Sequence, residues 1–487
     1  MEKKLQDIID KASIKDYIGL LNEKITSIEY DSRKCVVGSC FVAIKGNNFD
    51  GHNFIEQAID NGAKAIVCEN YPNRDLIIPH ITYLLVNNTR EALAELAHSF
   101  YDYPTKKLKV IGITGTNGKT TTTYIIKSIV EAAKEKVGII GTTGIYFGDR
   151  KLDTNLTTPE SSDLARIFYE MIECGINYAV MEVSSVALIM NRVDKIEFDV
   201  AGFSNLTQDH LDIHHNMEEY ANAKKILFDR LEENSIAVIN SDDEFYEKMI
   251  NNCVAKIRKV GRQSNANYKI IREEIRDDGN SFLIFNKEKK FDVRTKLSGK
   301  FNVENAALAA LICDSLNIPQ IAIQNGLSIT EGAPGRLQKV ELKNGAIGYV
   351  DYAHTPDALE KALNTLKQFS VQNKSRLICV FGCGGDRDRG KRPLMGAIAE
   401  QIADQVIITN DNPRTEDPKQ IFADIIEGIN NNSKILIIED RKSAIEEAVK
   451  LSNKKDLILV AGKGHENYQI IGKEKFHFDD FEELSRF

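Results

Sequence analysis

Apolar residues in this chain fall in short runs, and the segments between the runs carry a helical period. Val110, Ile111 and Ile113 form one such run and predict a short buried strand; a glycine-rich turn and a helical pattern follow it. Further strands are predicted at 40–44, 65–68, 137–140, 178–181, 200–203, 236–239 and 281–285. Beyond a turn-rich link the same kind of run recurs at 347–350, 377–381, 406–409, 435–438 and 457–460. Helical spacing marks 54–62, 89–101, 162–173 and 217–231, and an alanine- and leucine-rich stretch begins near Lys300. Strands alternating with helices predict an α/β chain of three domains. The expected order is a small N-terminal α/β domain (1–107), a central parallel-sheet domain with the phosphate loop (108–334) and a C-terminal Rossmann-like domain (335–487).

Composition narrows the class. A chain of 487 residues is long enough for several cores, and its formal net charge of −8 argues against a general nucleic-acid binder. No apolar run reaches membrane-spanning length and the first ten residues lack a signal-peptide core, so a cytoplasmic protein without membrane insertion is expected. The eight cysteines are scattered, several inside apolar runs, which suits buried thiols better than a disulfide frame.

The chemistry begins at the turn after Ile113. Gly112, Gly115 and Gly118 let backbone N–H groups converge on an anion, and the next helix points its N-terminal end at the same place. Lys119 would reach terminal phosphates, and Thr120 offers a hydroxyl to Mg²⁺. The glycines keep a three-residue period, with Ile113 where the commoner phosphate loop has glycine. Ligands of parallel sheets gather at the carboxyl ends of the strands. Glu182 and His210 both follow strand-like runs, so both are candidates for metal ligation on that rim.

Lys224 falls on the apolar stripe formed by Met217, Tyr220, Ala221, Leu227 and Phe228, whereas Lys225 points outward. An inward ammonium must find a partner, snorkel or lose its proton; a neutral or carbamylated amine could instead serve a metal site. Asn216 and Glu219 supply a capping-box-like start for this helix, and capping is likewise the default for Asn302 and Asn305. In the last domain, polar groups bunch where four strands end, at 351–354, 384–390, 410–414 and 462–466. The mixture of Asp, Arg, His and Glu there suits a zwitterionic ligand or completion of a nucleotide site.

The whole chain resembles the Mur ligases, ATP-dependent enzymes that add amino acids to peptidoglycan precursors. The resemblance rests on 115–120 (GTNGKT), 181–185 (MEVSS), 205–212 (NLTQDHLD), Ala223-Lys224, 301–303 (FNV), Gly335-Arg336, 351–354 (DYAH), 411–414 (DNPR) and 462–466 (GKGHE), in family order. It implies that Gly115, Thr116, Asn117, Gly118, Lys119, Thr120, Asn302, Arg336, Asp351 and His354 bind ATP. Ser32, Thr157, Thr158, Ser184 and Arg192 would hold the UDP-muramoyl-dipeptide. Thr120, Glu182, His210 and Lys224 (as N6-carboxylysine) would serve Mg²⁺, with Lys119, Lys224 and His210 closest to the chemistry. The DNPR motif accompanies meso-diaminopimelate in the family, so Arg387, Asp411, Asn412, Pro413, Arg414, Gly462 and Glu466 are the expected amino-acid pocket. A monomer is expected. Lysine-adding or polyglutamate ligases of the same architecture are the alternatives, and a non-catalytic ATP-binding protein is a more distant one.

Overall fold

A computed structural model describes residues 1–10, 13–46, 49–154 and 156–487. Lys11, Ala12, Asn47, Asn48 and Asn155 lie outside the described residues, as does the side chain of Asp212.

Three sheets of distinct make-up organise the chain. The N-terminal sheet has five strands in the spatial order Ile14–Ile18, Thr82–Val86, Ala65–Cys68, Ser39–Val42 and Ser27–Glu29. All its neighbours pair parallel except the first strand, which runs antiparallel along the edge. Helix Thr89–Phe100 packs Leu93, Leu96, Ala97 and Phe100 against it, and Asn88 caps that helix through the N–H groups of Arg90 and Glu91.

The central sheet has eleven strands. Lys109–Thr114 lies between Tyr178–Glu182 and Val200–Phe203, each paired parallel to it. This interior placement explains the unbroken apolar run at Val110–Ile113, because a parallel strand covered by helices on both faces has no polar side. The parallel pairing continues through Ile236–Asn240 and Lys256–Gly261 to Tyr268–Arg276. The sheet is not parallel throughout. Gly144–Phe147 and Arg150–Leu152 close one side as an antiparallel hairpin, and Tyr268–Arg276, Gly279–Phe285 and Lys290–Thr295 form a meander on the other. Strand Lys290–Thr295 is the outermost of that meander, and helix Gln320–Ile329 lies against it. Gln320 and Gln324 each donate a side-chain N–H to its Lys290 and Asp292 carbonyls.

The C-terminal sheet orders its six strands as Gln338–Glu341, Ile347–Asp351, Leu457–Ala461, Leu377–Phe381, Gln405–Ile408 and Ile435–Ile437, parallel apart from the first. Two buried arginines hold its rim, and neither was prominent in the sequence. Arg441 forks onto Asp480 at 2.7 Å with both side chains fully buried, and also donates to the Ala461 carbonyl. Arg392 is fully buried too and pairs with Glu416 and Asp424. The eight cysteines are all free thiols. Among the described residues no helix is long and apolar enough to cross a membrane.

Candidate active site

Strand Lys109–Thr114 ends in the glycine turn, and helix Lys119–Ala132 starts directly after it. Gly118 has φ +86°, and a Cβ there would lie 2.3 Å from Oδ1 of Asn305, so glycine is required on two counts. The turn is pinned from outside: Asn205 Oδ1 accepts the Asn117 N–H at 2.9 Å, and Ser204 Oγ donates to the Asn117 carbonyl at 2.6 Å. Asn302 and Asn305 do not cap their helix. The residue before it, Gly299, makes no side-chain cap; Asn302 donates to the Ser298 carbonyl, Asn305 donates to Asn302, and both are buried beneath the loop. Capping was the local default, but the helix begins at Lys300 after Gly299, so both amides fall inside it, and Asn305 lies directly against Gly118.

Two lysines meet at one carbonyl. Lys119 Nζ donates to the carbonyls of Gly115 (2.9 Å) and Thr116 (2.8 Å), and Lys224 Nζ donates to the same Gly115 carbonyl at 2.9 Å. Lys224 is 1% exposed and stacks over the Tyr220 ring, with its nitrogen 4.5 Å from the ring centre. Burial, and then the neighbouring Lys119 charge, push its ammonium pKa well below the usual lysine value. Burial lowers Lys119 as well. The predicted helix start is present, since Asn216 accepts the Glu219 N–H at 2.9 Å. Lys225 pairs with Asp229 on the outer side.

Thr120 and Glu182 lie together, the hydroxyl donating to the carboxylate at 3.0 Å, both buried. Thr142 donates to Glu182 through its N–H and its hydroxyl. A hydroxyl and a carboxylate beside the phosphate turn suit Mg²⁺, which takes oxygen ligands and completes its shell from phosphates and water. Among the described residues, no three His, Cys, Asp or Glu side chains are gathered tightly enough to hold a metal by themselves. His210 has φ +54°, and its ring lies 6.1 Å from the Tyr220 ring that also carries Lys224.

The C-terminal domain reaches into this cleft. Arg336 Nη2 donates to Thr120 Oγ1 at 3.3 Å, and its guanidinium lies over the Tyr352 ring. Tyr352 packs between the rings of His354 and His465, and His465 Nε2 donates to the Thr142 carbonyl at 3.1 Å. Burial drops both histidine pKa values to about 4, so both rings are neutral near pH 7. Asp351 accepts the N–H groups of Leu337 and Ala353, and burial raises its pKa. Two buried nitrogens at this junction, Arg336 Nε and His465 Nδ1, have no hydrogen-bond partner. Arg336 Nε is an orphaned buried donor, which is costly and which the oxygens of a nucleotide are chemically suited to meet, whereas His465 Nδ1, on a neutral ring whose Nε2 donates, is an acceptor suited to an N–H or O–H. Gly335 has φ +66°, and a Cβ there would strike the Gly464–His465 backbone at 2.2 Å, which brings the link and the 462–466 loop into contact.

The remaining expected residues fall into three groups. Thr158 Oγ1 donates to the Glu182 carbonyl at 2.8 Å and accepts the Ser184 N–H, while Thr157 Oγ1 lies 3.2 Å from that of Thr142. Arg192 pairs with Glu160 at 2.9 Å, and Arg90 of the N-terminal domain shares that carboxylate. Ser32 is farther off in the chain's first sheet domain, donating to Gln57 at 2.7 Å. In the third group, Asn412 donates to Glu466 (3.0 Å) and accepts from Lys463 (3.2 Å), Lys463 pairs with Asp411, and a Cβ on Gly462 would meet the Asp411 carboxylate. Arg414 has φ +51° and donates to the Gly385 carbonyl at 2.8 Å, leaving its guanidinium beside Gly384. Arg387 follows on the exposed 384–390 loop. Thr142, Tyr220, Asp357, Lys463 and His465 are in this site without having been singled out as site residues. Lys463 and His465 were within reach of the sequence, because they belong to the charged 462–466 loop.

Family models match in the order of the three sheets: "Mur ligase family, catalytic domain" over residues 24–101, "Mur ligase middle domain" over 113–313 and "Mur ligase, glutamate ligase domain" over 335–464. A relative from Clostridium botulinum (strain ATCC 19397 / Type A), named UDP-N-acetylmuramoyl-L-alanyl-D-glutamate--2,6-diaminopimelate ligase, is 44% identical over 463 residues, 94% of each chain. The chain belongs to the Mur ligase family. A solved Mur ligase of the same printed name superposes with a TM-score of 0.70 at 34% identity, covering 100% of this chain and 98% of that one. Folylpolyglutamate synthase from Mycobacterium tuberculosis, complexed with ADP and AMPPCP, shares the Mur ligase fold at a TM-score of 0.63 and 18% identity, over 77% of this chain and 92% of that one. The central and C-terminal sheets and the loops between them are therefore an ATP- and Mg²⁺-dependent acid–amino-acid ligase framework.

Proposed function

We propose that this Mur ligase joins meso-2,6-diaminopimelate to the γ-carboxylate of D-glutamate in UDP-N-acetylmuramoyl-L-alanyl-D-glutamate, converting ATP to ADP and phosphate. The observation that carries the substrate choice is the loop pair 411–414 and 462–466. Asn412, Lys463 and Glu466 fasten the two loops together, and Arg414 is held at their edge on the Gly385 carbonyl. Diaminopimelate has a second amino-acid centre. A guanidinium at the edge suits its distal carboxylate, and Glu466 suits its ammonium. Lysine would leave Arg414 without an anion.

In the first step the D-glutamate γ-carboxylate attacks the γ-phosphorus, giving an acyl phosphate and ADP. Lys119, the loop N–H groups and Arg336 stabilise charge on the transferring phosphoryl group. Bound Mg²⁺ supplies charge neutralisation, and Thr120 and Glu182 are the residues that would hold it. The amine of diaminopimelate then attacks the activated carbonyl, and phosphate leaves. Thr157, Thr158, Ser184 and Arg192 orient the dipeptide, Ser32 receives the uridine end, and Asn302, Asp351 and His354 seat the nucleotide.

Lys224 enters this reading as a carbamate. Its depressed pKa makes the amine neutral more readily, and a neutral amine adds to CO₂ with loss of one N–H proton to water. The product would be an anion beside Lys119, on the Tyr220 ring that His210 also meets, and would serve a second Mg²⁺.

The deciding experiment incubates the chain with the UDP-muramoyl-dipeptide, ATP, Mg²⁺ and either diaminopimelate or lysine, and reads product mass. Product with diaminopimelate alone is expected. Equal product with lysine overturns the substrate choice, and no product with either overturns the function.

A further inference from the structure

Asp357 is an interdomain contact that the proposed chemistry has not used. It stands in the first turn of helix Pro356–Asn373 of the C-terminal domain, whose start is capped by Thr355. Its Oδ2 accepts three donors: Asn117 Nδ2 at 2.7 Å, Thr207 Oγ1 at 3.1 Å and Lys361 Nζ at 2.9 Å. Asn117 belongs to the phosphate turn and Thr207 to the loop after strand Val200–Phe203, both in the central domain. Those two loops already grip one another. Thr116 Oγ1 accepts the Thr207 N–H at 3.0 Å, and Asn205 fixes both the N–H and the carbonyl of Asn117. One C-terminal carboxylate therefore fastens a preassembled pair of central-domain loops, and the link can exist only while the two domains are together.

Asp357 holds the Asn117 side chain without donating to a phosphate. A carboxylate offers no N–H to an anion, and the backbone of the Asn117 turn is held independently by Asn205 and Ser204, so the nucleotide cradle keeps its shape without Asp357. Lys361, one turn along the same helix, balances its charge at that same oxygen. We propose that Asp357 is a positioning residue: it couples closure of the C-terminal domain to the orientation of the Asn117 turn, so phosphoryl transfer becomes fast only once the amino-acid-binding domain has docked. The proposal rests on the ligase reading given above for its kinetic arm, but not for its structural arm.

The test compares the full chain with Asp357→Asn and Asp357→Ala. Loss of a charge-assisted hydrogen bond in the docked state predicts a fall in kcat of about tenfold or more for Ala. Asn keeps an acceptor oxygen and should fall between Ala and the parent, while ADP affinity stays within about twofold in both variants. Loss of ADP affinity in parallel with kcat, or an unchanged kcat, overturns the proposal. Hydrogen exchange with Mg²⁺ and ADP provides the second readout, independent of turnover. In the parent, protection should rise together over 115–119 and 355–361; in Asp357→Ala it should rise over 115–119 alone. Protection of both segments in the Ala variant overturns the coupling. If the parent makes no ligated product, the functional reading fails, and the exchange experiment still decides the role of Asp357.

Discussion

At the scale of single residues, Lys224 carries the strongest expectation. It is a buried amine with a depressed pKa, held on a carbonyl that Lys119 also uses, and the group for which the carbamate is proposed. With Lys224 carbamylated as proposed, Lys224→Ala should lower turnover by about 10²-fold or more, through loss of the anion that the carbamate would place at the phosphoryl-transfer centre. Added acetate should restore part of the rate, and undiminished activity of the variant would remove the carbamate from the mechanism. Arg414→Ala should raise KM for diaminopimelate by about 10-fold or more through loss of a charge-assisted contact, with ADP affinity unchanged by isothermal titration. Equal losses in both quantities would show that Arg414 serves the whole domain and not the amino acid. Lys224 was legible in the sequence because a 3.6-residue period places it inward whatever its neighbours are. Asp357 was not legible, since its partner Asn117 lies 240 residues away and nothing in the local pattern links them.

At the scale of elements, the parallel strands were the easiest to read. Strands 65–68, 200–203 and 377–381 have the bounds the apolar runs predict, because each is covered on both faces and so carries no polar alternation. The meander Tyr268–Thr295 was poorly visible. Strand Tyr268–Arg276 buries Tyr268 and Ile270 but alternates half-buried and exposed positions from Ile271 onward, and strand Lys290–Thr295 carries charges on one face, so only the middle strand reads clearly as apolar. The misjudged asparagines, Asn302 and Asn305, show the same limit: the helix begins two residues before Asn302, so both lie inside it and not at its cap. Among the buried ion pairs, Arg441–Asp480 joins helix Arg441–Leu451 to the last helix of the chain. Arg441→Ala leaves Asp480 charged and without that partner inside the fold, and should cost about 3–5 kcal/mol in urea denaturation. Replacing both by Met and Leu should recover much of that loss; a double variant no more stable than the single one would contradict this account.

For the whole molecule, the domain junction makes stability depend on pH. His354 and His465 have folded pKa values of about 4 because burial disfavours their charged forms, whereas an unfolded histidine titrates near ~6.5. Between those values the unfolded chain binds more protons, so stability rises with pH there and is lost as pH falls from about 6.5 towards 4. His98, also at about 4 through burial, adds the same sign from the N-terminal domain. The melting midpoint should therefore fall on acidification through this window, and His465→Gln should flatten the slope in part. An identical slope in that variant would show that the junction is already open before the histidines titrate.

The two glutamines along the outer strand of the central sheet bear on how this chain can fail. By donating to the Lys290 and Asp292 carbonyls, Gln320 and Gln324 occupy acceptors that another polypeptide could otherwise zip onto. Exchanging both for alanine removes only two peripheral amides, yet the expected defect is self-association that grows with concentration, visible by light scattering while catalysis per soluble molecule persists.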